Sequence, residues 1–212
     1  MAEKKTKVRA YHQVARAEST EELRRGILKA FSKLALTTWL DELTLDDVAQ
    51  AAGTTRQTVI RMFGSKIGLL MSALPAIDAD ITRRRKTGPG ATLEEIAAGV
   101  VADLEVNGGM LMSVLALAPR NPELEPALAY GRSQHSRLLR EALAPWLDPL
   151  PMHEAERRFL GCIVATDTYT WALLRKEHKK SVSDTERTIT DMLRRILGDA
   201  PTLQQPKVET EK

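Results

Sequence analysis

Residues 43–66 read LTLDDVAQAAGTTRQTVIRMFGSK, and the choice of fold turns on this stretch. Leu45, Val48, Ala49 and Ala52 recur at i, i+3, i+4 and i+7, the spacing of one helix face. Thr44 stands just before that face and Asp47 three residues on, a capping box with Asp in the place of the usual Glu. Gly53 then ends the helix, because a left-handed turn residue costs least at glycine. Thr54 or Thr55 can cap a second helix, which buries Val59 and Phe63 and carries Thr58 and Met62 at its margins. Its outward side presents Arg56, Gln57 and Arg61. Two short helices joined by a glycine turn form a helix-turn-helix. The second helix of such a unit fits a DNA major groove, where Arg and Gln hydrogen-bond base edges. A helical hairpin in any all-α core shares the apolar spacing, so the groove reading rests on the outward side chains.

Working outward, the composition agrees with helices. The chain has 212 residues with 4% aromatics. Ala, Leu, Arg and Glu are abundant and alternating β-branched runs are absent, an all-α composition. Ser19 or Thr20 is expected to cap a first helix with Leu23, Ile27, Ala30, Phe31 and Leu34 as its buried stripe. Trp39 and Leu40 are expected to close the corner, completing a three-helix head over residues 20–66. Residues 1–19 carry Lys4, Lys5, Lys7, Arg9, His12 and Arg16 and read as a disordered basic tail, either an arm for DNA or a solubilising leader. Ser65 caps a fourth helix along Ile67, Leu70, Met71, Leu74 and Ile77 or Ile81, interrupted at Pro75. Arg83-Arg84-Arg85-Lys86 marks its end, either solvated or a partner for acidic groups, and Gly88-Pro89-Gly90 a linker.

Three segments fall in register without a gap: ILKAFSKLA from Ile27, LTLDDVAQAAGTT from Leu43, and TVIRMFGSKIGLL ending at Leu70. Over roughly Glu22 to Ala73, the sequence resembles the tetracycline-repressor (TetR) family of transcriptional regulators. The resemblance implies an all-α chain, with a three-helix helix-turn-helix DNA-binding head joined to a helical ligand-binding and dimerisation domain. It implies a homodimeric repressor released from an inverted-repeat operator in double-stranded DNA by a small-molecule effector. Thr44, Thr55, Arg56, Gln57, Thr58, Ile60, Arg61 and Lys66 are then the DNA contacts. Lys66 sits in a helix first turn, where a cation opposes the dipole, and the family uses this lysine against phosphate. Two positions depart from the family: Ile60 stands where Tyr is usual, and Met62 where Tyr or His is frequent. Arg56, Gln57 and Arg61 must then carry more of the readout, with Ile60 limited to an apolar contact such as a thymine methyl. The alternative is a dimeric helical ligand-binding or protein-interaction module without specific DNA binding.

Charge supports a basic head. Residues 1–90 hold 16 Lys and Arg against 10 Asp and Glu, whereas residues 91–212 hold 15 against 18. A positive field draws a protein towards phosphates. Nothing points to catalysis or a cofactor. His12, His135, His153 and His178 are scattered and none pairs closely with Cys162, so no metal pattern exists. Glycine-rich phosphate loops and nucleophile elbows are missing too. One cysteine excludes an internal disulfide, and no apolar run of membrane-spanning length or apolar signal core is evident, so a cytoplasmic protein without a membrane partner is expected.

Residues 67–200 are expected to form the body, followed by a polar tail at 201–212. A stripe of Ile96, Val100, Val101 and Leu104 runs to a break at Gly108-Gly109. Met110 to Ala118 is a short apolar segment, and helices follow over Glu123–Leu147, Met152–Glu177 and Ser183–Leu197. Within them LGCIVATDTYTWALL, Leu160 to Leu174, carries one charge, Asp167. A helix apolar all round must be buried on both sides. A two-fold partner can supply the second side, and a central place in a monomer core is the alternative. Interface candidates are Leu160, Val164, Trp171, Ile189, Met192, Leu193 and Ile196. Ligand-pocket candidates are Met110, Met112, Leu115, Trp146, Phe159, Cys162, Asp167, Tyr169 and Trp171, all of which also suit a plain core. Asp167 could receive a cationic ligand group, or pair with an Arg or a hydroxyl near the dimer axis.

Overall fold

The computed structural model describes the backbone of residues 2–85 and 90–198, and side-chain surroundings from residue 18 onward. Among the described residues every regular element is helical. In order these are α1 (Ala2–Ala35), α2 (Leu45–Ala51), α3 (Arg56–Phe63), α4 (Lys66–Arg85), α5 (Leu93–Leu117), α6 (Glu125–Leu147), α7 (Met152–Ala165), α8 (Thr168–Ala172) and α9 (Val182–Leu197). Two 3₁₀ turns lie between α5 and α6, and a π turn, Leu173–Glu177, follows α8. Gly88 and Pro89 of the expected Gly88-Pro89-Gly90 linker, and the tail at 201–212, lie outside the described residues.

Two packing units divide the chain: Met1–Asp80 with Gly109–Tyr130, and Ile81–Gly108 with Gly131–Lys212. Their borders fall inside α4, α5 and α6, and differ from the division expected at residue 66. The first unit is built on Ile27 and Phe31 of α1, Val48 of α2, Val59 of α3 and Leu69 and Leu70 of α4, all buried. Met110, Val114 and Leu128 close the same core. Leu40 joins it, but Trp39 is 50% exposed, so Leu40 alone closes the corner.

The tail expected to be disordered is instead the opening of α1. No Gly or Pro precedes Gly26, and Ala, Lys, Arg, Glu and Gln dominate. These residues propagate a helix at little cost, so Ser19 and Thr20 lie within it instead of capping it.

The second unit packs Ile96, Ala97 and Val101 of α5 with Leu143 and Trp146 of α6, Phe159 and Cys162 of α7, and Ile189 and Leu193 of α9. Two expected breaks change here. Helix α5 runs straight through Gly108 and Gly109, because packing outweighs about 1 kcal/mol of glycine propensity per residue. Gly108 is needed for that packing: a Cβ there would lie 2.5 Å from the Trp171 ring. Conversely, the single helix expected over Met152–Glu177 stops at Ala165. The Thr166 hydroxyl turns back to the Cys162 carbonyl at 2.8 Å, and Asp167 caps a new helix by accepting from the Tyr169 N–H at 2.8 Å. Short polar side chains that bond nearby backbone end helices in this way. By composition α5 with the turn after it is long and apolar enough to span a bilayer, against the sequence reading, but half of that apolar window is buried inside the protein. It also carries a buried polar cluster. Asp103 accepts from Arg85 Nη2 at 2.8 Å and from Asn107 Nδ2 at 2.6 Å, and Arg85 Nη1 meets His135 Nδ1 at 2.8 Å.

Candidate nucleic-acid interface

Local chemistry sets the α2–α3 pair. Thr44 Oγ1 accepts from the Asp47 N–H at 3.1 Å, and Asp47 Oδ2 accepts from the Thr44 N–H at 2.9 Å. The capping box is therefore complete, with aspartate reaching as far as glutamate would. The Thr44 hydroxyl, which donates to Asp47 Oδ2 at 2.6 Å, and then the Thr44 N–H hold the Asp47 carboxyl below the usual carboxylate range. Gly53, at φ 64°, turns the chain after α2. Thr55 then caps α3 by accepting from the Thr58 N–H at 3.2 Å.

On α3, Val59 and Phe63 face the core while Arg56, Gln57 and Arg61 are exposed. Thr58 and Ile60 are half-buried beside them. Thr44 and Thr55 are exposed at the two helix starts, so side chains that can reach phosphate flank those that can reach bases. Arg56 Nε lies 3.5 Å from Asp46 Oδ2, with both side chains mostly in water. Such a pair contributes at most about 1 kcal/mol and yields easily to a ligand.

Besides the expected Ser65 cap, the α3–α4 corner involves two residues that the sequence passes over, Gly68 and Arg24. Gly64 adopts φ 75°, and Ser65 Oγ accepts from the Gly68 N–H at 3.1 Å. A Cβ at Gly68 would lie 2.1 Å from the Phe63 carbonyl oxygen, so no side chain fits there. Its signal was a glycine inside a helical pattern. Arg24 of α1 stacks over the Phe63 ring at 4.6 Å, a contact with no local signature.

Lys66 is placed differently from expectation. Its Nζ donates to the carbonyl oxygen of Leu40, to that of Asp41 at 3.3 Å and to that of Leu43 at 2.9 Å. An ammonium has three donors, and all three are used on the backbone before α2. The conflict between a cation and a helix N-terminus is resolved by these carbonyls, with no phosphate required.

The pocket candidates are divided between the cores of the two units. Met110 and Leu115 belong to the first unit's core, with Met112 half-buried on the same half of α5. Trp146, Phe159 and Cys162 belong to the second unit's core. Trp171 is buried, its Nε1 donating to Glu105 Oε1 at 2.7 Å. Arg175 holds that carboxylate below its usual range. Asp167 is a helix cap and Tyr169 is exposed. Burial pushes the Cys162 thiol up to about 12. A cleft of about 420 Å³ lies instead in the first unit, lined by Leu34, Thr38, Leu43, Asp47, Gln50 and Ala51.

Among the interface candidates, Leu160 and Val164 stand out as apolar side chains 56% and 67% exposed. Trp171, Ile189 and Leu193 are buried in their own subunit, and Met192 and Ile196 pack half-buried against the same core. The buried three are thereby removed from the expected interface. Tyr169, Leu173 and Val182, large and exposed, add to the apolar surface of this unit. No group of metal-binding side chains occurs among the described residues.

No family model and no curated protein matches the sequence. Solved structures do match the fold. A transcriptional regulator from Rhodococcus sp. Rha1 superposes with a TM-score of 0.65 at 16% identity, over 84% of this chain and 97% of that one. A TetR transcriptional regulator from Rhodococcus sp. RHA1 gives 0.54 at 16% identity, over 84% and 97%. NalD of Pseudomonas aeruginosa, the secondary repressor of the MexAB-OprM multidrug efflux pump, gives 0.59 at 20% identity, over 85% and 99%.

Proposed function

We propose that this chain, which has the fold of the TetR-family transcriptional regulators, is a DNA-binding regulator that acts as a homodimer and represses from an inverted-repeat operator. The observation that carries this reading is the α2–α3 pair. Its two caps and its glycine turn leave Arg56, Gln57 and Arg61 together on the exposed side of α3. Arg and Gln pair with guanine and adenine edges, respectively, in the major groove. Thr44 and Thr55 at the helix starts, and Thr58 beside them, position the backbone. Ile60, half-buried, offers only an apolar contact.

The second copy would cover the apolar side chains around Leu160 and Val164, which one subunit leaves in water. Two heads related by a two-fold axis read half-sites about one helical turn apart, roughly 34–36 Å. A small molecule that binds the body with different affinity in two conformations would release the operator. The protein would work in the cytoplasm and needs no cofactor.

Selection of bound duplexes from a random pool tests the whole reading. The expected product is an inverted repeat, and an isolated half-site should bind little better than random DNA. Enrichment of no sequence over several rounds would leave a helical module without specific DNA binding.

A further inference from the structure

We propose that Lys66 and Ser113 form a clamp on the corner before α2, and that this clamp, not a phosphate contact, is what Lys66 contributes to DNA binding. The inference rests on the DNA-head reading above and deepens it. Residues 40–43 carry three carbonyls that the Lys66 ammonium collects, those of Leu40, Asp41 and Leu43. From the other side Ser113, fully buried on α5, accepts the Leu40 N–H at 2.7 Å. The Leu43 N–H is taken by the Trp39 carbonyl at 2.9 Å. Three carbonyls and one N–H of the corner are thus tied to α4 and α5, and the corner ends one residue before Thr44, the cap of α2.

Two physical points follow. With its donors spent on carbonyls, the Lys66 ammonium has none free for a phosphate oxygen. Releasing the corner would leave the Leu40 N–H without its buried acceptor, a state that native proteins avoid. Both residues are therefore positioning residues: they fix where the Thr44 cap and the start of α2 meet DNA. The assignment also makes α5, through Ser113, a direct holder of the head.

Lysine and arginine separate the two roles. A phosphate contact is served at least as well by arginine, whose fork matches a phosphate. A compact point charge among three converging carbonyls is not replaced by a planar fork. The test uses full-length Lys66→Met, Lys66→Arg and Ser113→Ala. Each is measured for duplex affinity across a salt series and for hydrogen exchange over residues 36–49. We expect all three to weaken the selected duplex roughly tenfold or more and to speed exchange through the corner. The dependence of log K on log salt should keep the wild-type slope, and Lys66→Met with Ser113→Ala should lose less than the product of the single losses. Wild-type affinity for Lys66→Arg, or a slope shallower by about 0.9 for Lys66→Met, would return Lys66 to the phosphate and overturn the clamp. If the wild-type protein selects no duplex, the DNA reading fails, and exchange alone decides the clamp: faster exchange upholds it and unchanged exchange overturns it. Should Lys66→Met not fold by circular dichroism, Ser113→Ala and Lys66→Arg carry the same measurements.

Discussion

Lowering the pH from 7 to 5 should destabilise this protein through one side chain, His135. Its Nδ1 sits 2.8 Å from Arg85 Nη1, which can only donate, so Nδ1 is the acceptor. The proton is therefore on Nε2, which donates to Thr166 Oγ1 at 3.1 Å, and that hydroxyl donates in turn to the Cys162 carbonyl at 2.8 Å. A second ring proton would have no acceptor and would face the Arg85 guanidinium. Burial first, and the Arg85 charge second, push the imidazole down to about 3 from an ordinary 6.5. The unfolded chain binds a proton below pH 6.5, and the folded chain does not until about pH 3. Stability is thus complete above the unfolded value and is lost as pH falls through the window between the two. One proton is worth about 1.4 kcal/mol per pH unit, so the loss between pH 7 and pH 5 is at most about 2 kcal/mol, trimmed where solvent reaches the ring edge. The depressed carboxylates contribute little between pH 7 and pH 5. Glu154, held down to about 2 by Arg157 and Arg158, and Asp184, held low by Ser181, lose their contribution only as pH falls through their ordinary values of 4.5 and 3.8. His135→Gln keeps an acceptor for Arg85 and a donor for Thr166 but cannot titrate. Urea unfolding followed by circular dichroism at half-unit steps from pH 5 to pH 8 should give a sloping wild type and a flat variant. Parallel slopes would refute the assignment of the proton.

Further expectations concern the head, the helix junctions and the partner face. Arg56→Ala should lose about 1–3 kcal/mol of specific binding and relax preference at one base pair per half-site, read by competition between specific and scrambled duplexes. Gly108→Ala must push against the Trp171 ring at 2.5 Å and should lower the melting temperature, whereas Gly109, with nothing within 4 Å of a Cβ, should gain about 0.5–1 kcal/mol as alanine. Leu160→Glu and Val164→Glu change side chains more than half exposed in one subunit. They should fold normally and sediment as monomers at micromolar concentration where the wild type is dimeric. A dimer that survives both places the interface elsewhere.

The head was legible because its signals are local. Thr44 with Asp47, Gly53, and Thr55 before Arg56 each act within four residues, and the structure places every one in its expected backbone role. The body was less legible because contacts distant in sequence decide it. Gly108-Gly109 looked like a break, but the Trp171 ring, far along the chain, requires the first of them inside a helix. Thr166-Asp167 looked like helix interior, yet their own short side chains end it. Lys66 could be assigned to a helix start from sequence, but its three carbonyl partners lie some two dozen residues earlier. Periodicity also cannot tell which of two apolar faces meets the subunit's own core, and so Ile189 and Leu193 were assigned alongside Leu160 and Val164.

The chain's one cysteine, Cys162, is a fully buried thiol whose ionisation is pushed up to about 12. Thiolate is the form that alkylating reagents and oxidants attack, so the folded protein should ignore both at neutral pH. Labelling should then proceed only from molecules that have opened around α7, at a rate set by how often they open. A maleimide dye in excess turns Cys162 into a clock for that opening. The wild-type sequence already carries the single site the experiment needs.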